Sequence, residues 1–198
     1  MGEQKVSLKS SSNTQTQFVA HLLQDIEALE YMLDNNMFET GIMRIGAEQE
    51  FCLVTKDWRP ANNADPILEK INDPHFTNEL AKYNLEINLD PIELKEDCFQ
   101  VVRNQLETLL EKANTVAKKE SSKVVLTGIL PTISQTHLKL DYITERPRYL
   151  ALNDRLMAQR GSHFYVHLMG VDELSIRHDS VLFEACNTSF QLHLQIDP

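Results

Sequence analysis

The 198-residue sequence predicts an α+β domain, a mainly antiparallel sheet with helices packed on one of its faces. Three observations predict it. Two long stretches, 14–36 and 95–120, repeat apolar residues at helical spacing, and five shorter segments read as strands. Three of those strands carry polar groups at alternate positions, whereas parallel strands covered on both faces read as continuous apolar runs. Composition agrees with this: 42% hydrophobic and 24% charged residues with 6 Gly and 7 Pro is a globular balance, and the length suits one well-cored domain or most of one.

Residues 1–13 are polar and Ser-rich and read as a disordered tail, leaving 14–198 as the domain. Phe18, Leu22, Leu23, Ile26, Leu29 and Leu33 make the first stretch an amphipathic helix that Asn35-Asn36 ends. MRIGAEQEFCLV (43–54) is the first strand. The segment 57–74, with Pro60, Pro66, Pro74 and Asn62-Asn63, reads as a loop holding a short helix over 67–71. A further short helix over 76–82 precedes the strand in which Leu85, Ile87 and Leu89 alternate with Glu86, Asn88 and Asp90. Phe99, Val102, Leu106, Leu109, Leu110, Ala113 and Ala117 mark a helix over 95–120, closed by Lys118-Lys119. KVVLTGI (123–129) is a short β-branched strand, expected to be buried. Pro147 opens a helix that Gly161 stops. HFYVHLMG (163–170) reads as a strand, 171–186 as helical, and TSFQLHLQI (188–196) as an alternating strand.

The charge balance narrows the function classes. With 29 acidic against 19 basic residues the chain carries −10, and its pI near 5.1 argues against binding nucleic-acid phosphates, which takes clustered Lys and Arg. No stretch approaches the roughly 20 apolar residues of a membrane span, and the first residues lack the apolar run of a secretory signal. Cys52, Cys98 and Cys186 are odd in number and widely spaced, so reduced thiols used for packing in a cytoplasmic protein are expected. Motifs for P-loop, dinucleotide-fold, nucleophile-elbow and zincin chemistry are absent.

Chemistry concentrates on three strands. Glu48 and Glu50, two apart, share a strand face with Cβ atoms roughly 7 Å apart, an arrangement suited to a hard divalent cation or, equally, to an exposed edge. Glu86, Asn88 and Asp90 form a second such row, with Glu79 seven residues before Glu86 on the expected short helix. Gln191, His193 and Gln195 form a third. Each row alone is an ordinary solvated sheet face; together they are compatible with the floor of one site. Arg146, Arg148, Arg155 and Arg160 form a basic run suited to bidentate carboxylate or phosphate binding, or to ion pairing with Glu145 and Asp154 on the helix surface.

Five segments carry a family resemblance: IGAEQEF (45–51), NELAKYNLEINLDP (78–91), LTGILPT (126–132), ITERPRY (143–149) and TSFQLHLQI (188–196). In order and rough spacing they resemble the glutamate-cysteine ligase type 2 family, which includes the bacterial carboxylate-amine ligases. The resemblance runs from about residue 43 onward and implies the N-terminal part of that catalytic domain, whose sheet is similar to those of glutamine synthetase and the guanido kinases. It implies ATP and Mg²⁺ as cofactors, small-molecule substrates, and amide-bond formation in which a substrate carboxylate is phosphorylated and an amine displaces the phosphate. By the same resemblance the family's Glu-x-Glu falls on Glu48 and Glu50, its Glu-x-Asn on Glu86 and Asn88, its preceding glutamate on Glu79, and its later polar pair on Gln191 and His193. The implied metal ligands are then Glu48, Glu50, Glu79, Glu86 and Gln191, and the implied nucleotide contacts are Glu48, Glu50, Asn88, Gln191 and His193. Arg146 and Arg148 would hold the substrate carboxylate or the transferred phosphoryl group. A non-catalytic metal- or nucleotide-binding regulatory module built on the same sheet is the alternative.

Overall fold

The computed structural model describes residues 12–198. Most of the expected polar tail, 1–11, lies outside the described residues, and Ser12 and Asn13 belong to the first helix. In chain order the elements are α1 (Ser12–Asp34), β1 (Arg44–Val54), α2 (Ala64–Ile71), β2 (Phe76–Asn78), β3 (Asn84–Asn88), β4 (Ile92–Glu93), α3 (Cys98–Lys119), β5 (Lys123–Val125), α4 (Pro147–Arg160), β6 (Phe164–Met169), β7 (Glu173–His178) and β8 (Phe190–Leu194). Short 3₁₀ segments precede α4, and another, Val181–Cys186, joins β7 to β8.

Strand β1 is the axis of a six-stranded antiparallel sheet. Along one edge it pairs with β3 (Glu48 opposite Asn88, Glu50 opposite Glu86) and then with β4 (Ile45 opposite Ile92). Its other edge takes β8 (Glu48 opposite Gln191, Gly46 opposite His193) and β5 (Leu53 opposite Val124). Strand β2 adds to the outside of β3, and β6 and β7 form a separate hairpin.

The two faces divide by residue parity. Ile45, Ala47, Phe51 and Leu53 of β1, with Leu85, Ile87 and Leu89, pack against Ala64, Ile67 and Ile71 of α2 and Val102, Leu109, Ala113 and Ala117 of α3. The expected helix over 95–120 thus forms with its core stripe displaced by one residue at its start: Cys98 is buried, whereas Phe99 is 68% exposed. Two clusters partly cover the opposite face. Cys52 and Val54 meet Leu130, and beyond the start of β3 Ala81 and Tyr83 pack with Tyr149 of α4 and Val181, Leu182 and Ala185. Helices α2 and α3 therefore occupy one face as expected, while α4 and the 3₁₀ segment sit over the end of the other.

Several elements differ from the sequence expectation. Residues 76–82 form a strand and a turn rather than a helix, because Phe76 and Asn78 bury alternately and pair with Ile87 and Leu85 on β3. Residues 173–178 form β7, since the chain reverses after Gly170 and Ile176 and His178 bury at a spacing of two. Residues 181–186 then coil as 3₁₀. The expected strand over 123–129 is three residues long and only half-buried, and Thr127–Ile129 instead receive the chain entering β8: the Thr188 amide donates to the Gly128 carbonyl at 2.8 Å. Helix α4 begins at Pro147 and ends at Gly161, whose φ of 67° suits a residue without a Cβ.

The apolar stripe of α1 is solvent-facing, from 45% exposed at Ile26 to 66% at Phe18, and Phe190, Leu192 and Leu194 on β8 are about half exposed. Cys52 and Cys98 are buried and Cys186 half-buried, all three as free thiols, and burial pushes the Cys52 thiol up to about 11. Among the described residues no helix is long and apolar enough to cross a membrane.

Phe51 is fully buried between sheet and helices, whereas Phe190 is 46% exposed on the outermost strand. Phe51→Ala is expected to cost about 3–5 kcal/mol and Phe190→Ala under about 1 kcal/mol in urea unfolding followed by circular dichroism.

Candidate functional site

The face opposite α2 and α3 gathers the polar rows. In antiparallel pairing, residues directly opposite point to the same side, so the register places Glu48 beside both Asn88 and Gln191, and Glu50 beside Glu86. Glu79 leaves the end of β2, one strand further out. It lies on a strand exit and not on a helix as expected, and its arrival there depends on β2 pairing with β3.

Three carboxylates converge. Glu50, Glu79 and Glu86, from β1, the end of β2 and β3, each offer an oxygen, and these oxygens lie within 4.8 Å of one another. Each is braced from outside. The Ser189 amide and hydroxyl donate to Glu50 Oε2 at 2.7 and 3.3 Å, the Leu80 amide donates to Glu79 Oε2 at 3.2 Å, and Asn88 Nδ2 donates to Glu86 Oε1 at 2.7 Å.

Clustering like charges in a half-buried place raises the proton affinity of the group with fewest compensating donors. Burial, then repulsion from Glu86, then a hydrogen bond to Glu86 and repulsion from Glu50 push the Glu79 carboxyl up to about 8. Burial also raises Glu50, opposed by the two Ser189 hydrogen bonds and reinforced by Glu86 and Glu48.

Glu50 and Glu79 open on a cavity of about 300 Å³ whose wall also includes Asn84, Glu184, Ser189 and Gln191. Asn84 is 2% exposed; its Nδ2 donates to the Ala185 carbonyl at 2.8 Å, while its Oδ1 is buried with no hydrogen-bond partner among the described residues. Asn84, Glu184 and Ser189 were not foreseen. Asn84 continues the alternation of Glu86 and Asn88 by one step, a signal present in the sequence, but Glu184 and Ser189 arrive through tertiary connections that no local pattern encodes.

A second, larger cleft of about 900 Å³ lies on the same face, lined among others by Arg44, Glu48, Asn88, His193 and Gln195. His193 Nε2 is 2.8 Å from Gln191 Oε1 and 3.6 Å from Glu48 Oε1, and Arg44 ion-pairs with Glu39 while its Nη1 donates to Gln195 Oε1 at 2.7 Å. Of the implied metal ligands, Glu50, Glu79 and Glu86 thus come together. Glu48 sits one row away beside His193, and the Gln191 oxygen is engaged by His193.

Neither Arg146 nor Arg148 lines either space. Arg146 Nη2 donates to Asp65 Oδ1 at 2.7 Å, pinning the start of α4 to α2, and the Arg148 guanidinium lies 5.1 Å from the Tyr149 ring centre. Glu145, an expected helix-surface partner of this run, accepts from Lys82 Nζ at 2.7 Å.

No protein-family model, curated protein or solved structure matches the chain.

Glu79 titrates near 4.5 ordinarily and near 8 in the fold, so between those values the folded state holds the extra proton and stability falls as pH rises. Glu79→Gln is expected to remove that fall. Thermal unfolding should show the variant more stable than the parent at pH 8, by on the order of a few kcal/mol, and the two converging below about pH 4.5.

Proposed function

We propose that the chain supplies the metal- and nucleotide-holding face of an ATP-dependent carboxylate-amine ligase of the glutamate-cysteine ligase type. The convergence of Glu50, Glu79 and Glu86 beside a cavity whose wall also includes Asn84 carries this reading. Carboxylates are hard oxygen donors, the kind Mg²⁺ takes, and a cluster in which Glu79 retains its proton at neutral pH is what a cation would discharge. Glu50, Glu79 and Glu86 would hold a divalent cation there, which would supply charge neutralisation for phosphoryl transfer.

Each residue then has a part. Glu79 releases its proton when the cluster takes a cation. Ser189 and Asn88 hold Glu50 and Glu86 in fixed orientation through the hydrogen bonds described above, so the donors are set before a ligand arrives. Glu48, Asn88 and His193 face the larger cleft, which has room for a nucleotide beside the cluster. Gln191, bonded to His193, links the two spaces. Arg146, committed to Asp65, has a structural part in this reading. The setting is a cytoplasmic one with reduced thiols, and the partners are small molecules, an acid and an amine.

Calorimetric titration with Mg²⁺, alone and with ATP, is the direct measurement. Saturable binding is expected, weakened at least tenfold by Glu50→Gln or Glu86→Gln, and tighter at pH 8.5 than at pH 6 because the metal displaces the Glu79 proton. ADP release with glutamate and an amine supports the ligase; nucleotide binding without release identifies the regulatory module instead. Mg²⁺ binding indifferent to both substitutions would sink the metal assignment.

A further inference from the structure

A third cavity adjoins the carboxylate-lined one and has the opposite character. It measures about 390 Å³, within the range of about 300–1,000 Å³ that small-molecule sites occupy. Its wall is formed by Leu152 and Leu156 of α4, Phe164 and Val166 of β6, and Val181 and Phe183 of the 3₁₀ segment. Leu152 and Leu156 are 46% and 38% exposed at the rim, while Val181 is buried.

Two polar groups in its wall, His178 and Ser180, are already paired with each other. Ser180 Oγ lies 2.8 Å from His178 Nε2, both residues are buried, and burial holds the imidazole below its ordinary proton affinity. These groups ask nothing of a ligand. Leu80 and Glu184 line both this cavity and the carboxylate cleft, so the two spaces meet at those residues. The Glu184 side chain is exposed at that junction and has no hydrogen-bond or ion-pair partner among the described residues.

From this geometry we infer that the cavity receives the apolar body of a primary amine whose ammonium group sits against Glu184, at the junction with the carboxylate cleft. The inference rests on the ligase reading for what happens next: it makes that amine the acceptor and predicts an acceptor with an aliphatic or aromatic body, not a small polar one. An apolar chamber with one carboxylate at its mouth selects for this chemistry twice. The walls favour a body that leaves water, and Glu184 favours a cationic head. An alcohol of the same shape forfeits the ion pair, and a short hydroxyl-bearing amine forfeits the burial.

The 198-residue chain, titrated calorimetrically with 2-phenylethylamine, is expected to bind one equivalent. 2-Phenylethanol and ethanolamine are each expected to bind at least tenfold more weakly. Leu156→Arg, at the exposed rim, should abolish amine binding, and Glu184→Gln, at an exposed position, should weaken it about tenfold; circular dichroism checks that both variants are folded. No saturable binding of 2-phenylethylamine, or binding that neither substitution alters, overturns the inference. Mg²⁺ titration of the same protein separates the two proposals: Mg²⁺ binding without amine binding overturns this one and leaves the metal reading standing, and amine binding without Mg²⁺ binding does the reverse.

Discussion

Everything in this fold hangs on one strand being hydrogen-bonded along both edges. Strand β1 is eleven residues long and touches four of the five other strands of its sheet, so its register decides which side chains become neighbours. A slip of one residue would turn Glu48 and Glu50 into the helix-facing core and expose Ala47 and Phe51 to the polar face. That exchange is prohibitively costly, since it buries two carboxylates among the apolar side chains of α2 and α3. The hydrophobic packing on one face therefore locks the carboxylate arrangement on the other.

The same coupling sets the electrostatics. Glu50 opposite Glu86 is an unfavourable cross-strand pair, and Glu79 joins them because β2 must dock Phe76 into the core. The repulsion is met locally by donors from Ser189, Asn88 and Leu80 and by a retained proton. A cluster of this kind is a stability cost that the apolar side of the sheet offsets, and such costs concentrate where a protein binds something. The chain brings two contrasting spaces together at Glu184, one lined by carboxylates and one by hydrocarbon, with the 3₁₀ segment forming part of both walls.

Much of the site was legible from alternation alone. Glu48/Glu50, Glu86/Asn88 and Gln191/His193 each sit two apart on strands, and a period of two assigns them to one face without knowledge of the pairing. The order of pairing was not legible, nor was the placement of Glu79, because a seven-residue segment with Leu80 and Ala81 is equally readable as a helix turn and becomes a strand only when β3 is there to receive it. The partner of Arg146 was not legible either, for a related reason. A local pattern places an arginine at the start of α4, but whether it meets a ligand or an aspartate is decided by what packs against it, here Asp65 on α2.

The sequence by itself determined the α+β class, the two long helices, the long central strand and the parity that separates apolar from polar residues. These follow from local periodicity, which a chain carries whatever its partners. Tertiary structure alone decided that Glu50, Glu79 and Glu86 meet, that Ser189 and Asn84 stand beside them, that Arg146 is spent on Asp65, and that an apolar chamber opens next to the carboxylates. Those outcomes depend on contacts between residues tens of positions apart, and such contacts are selected by the packing of the whole domain, where no short window of sequence can specify them.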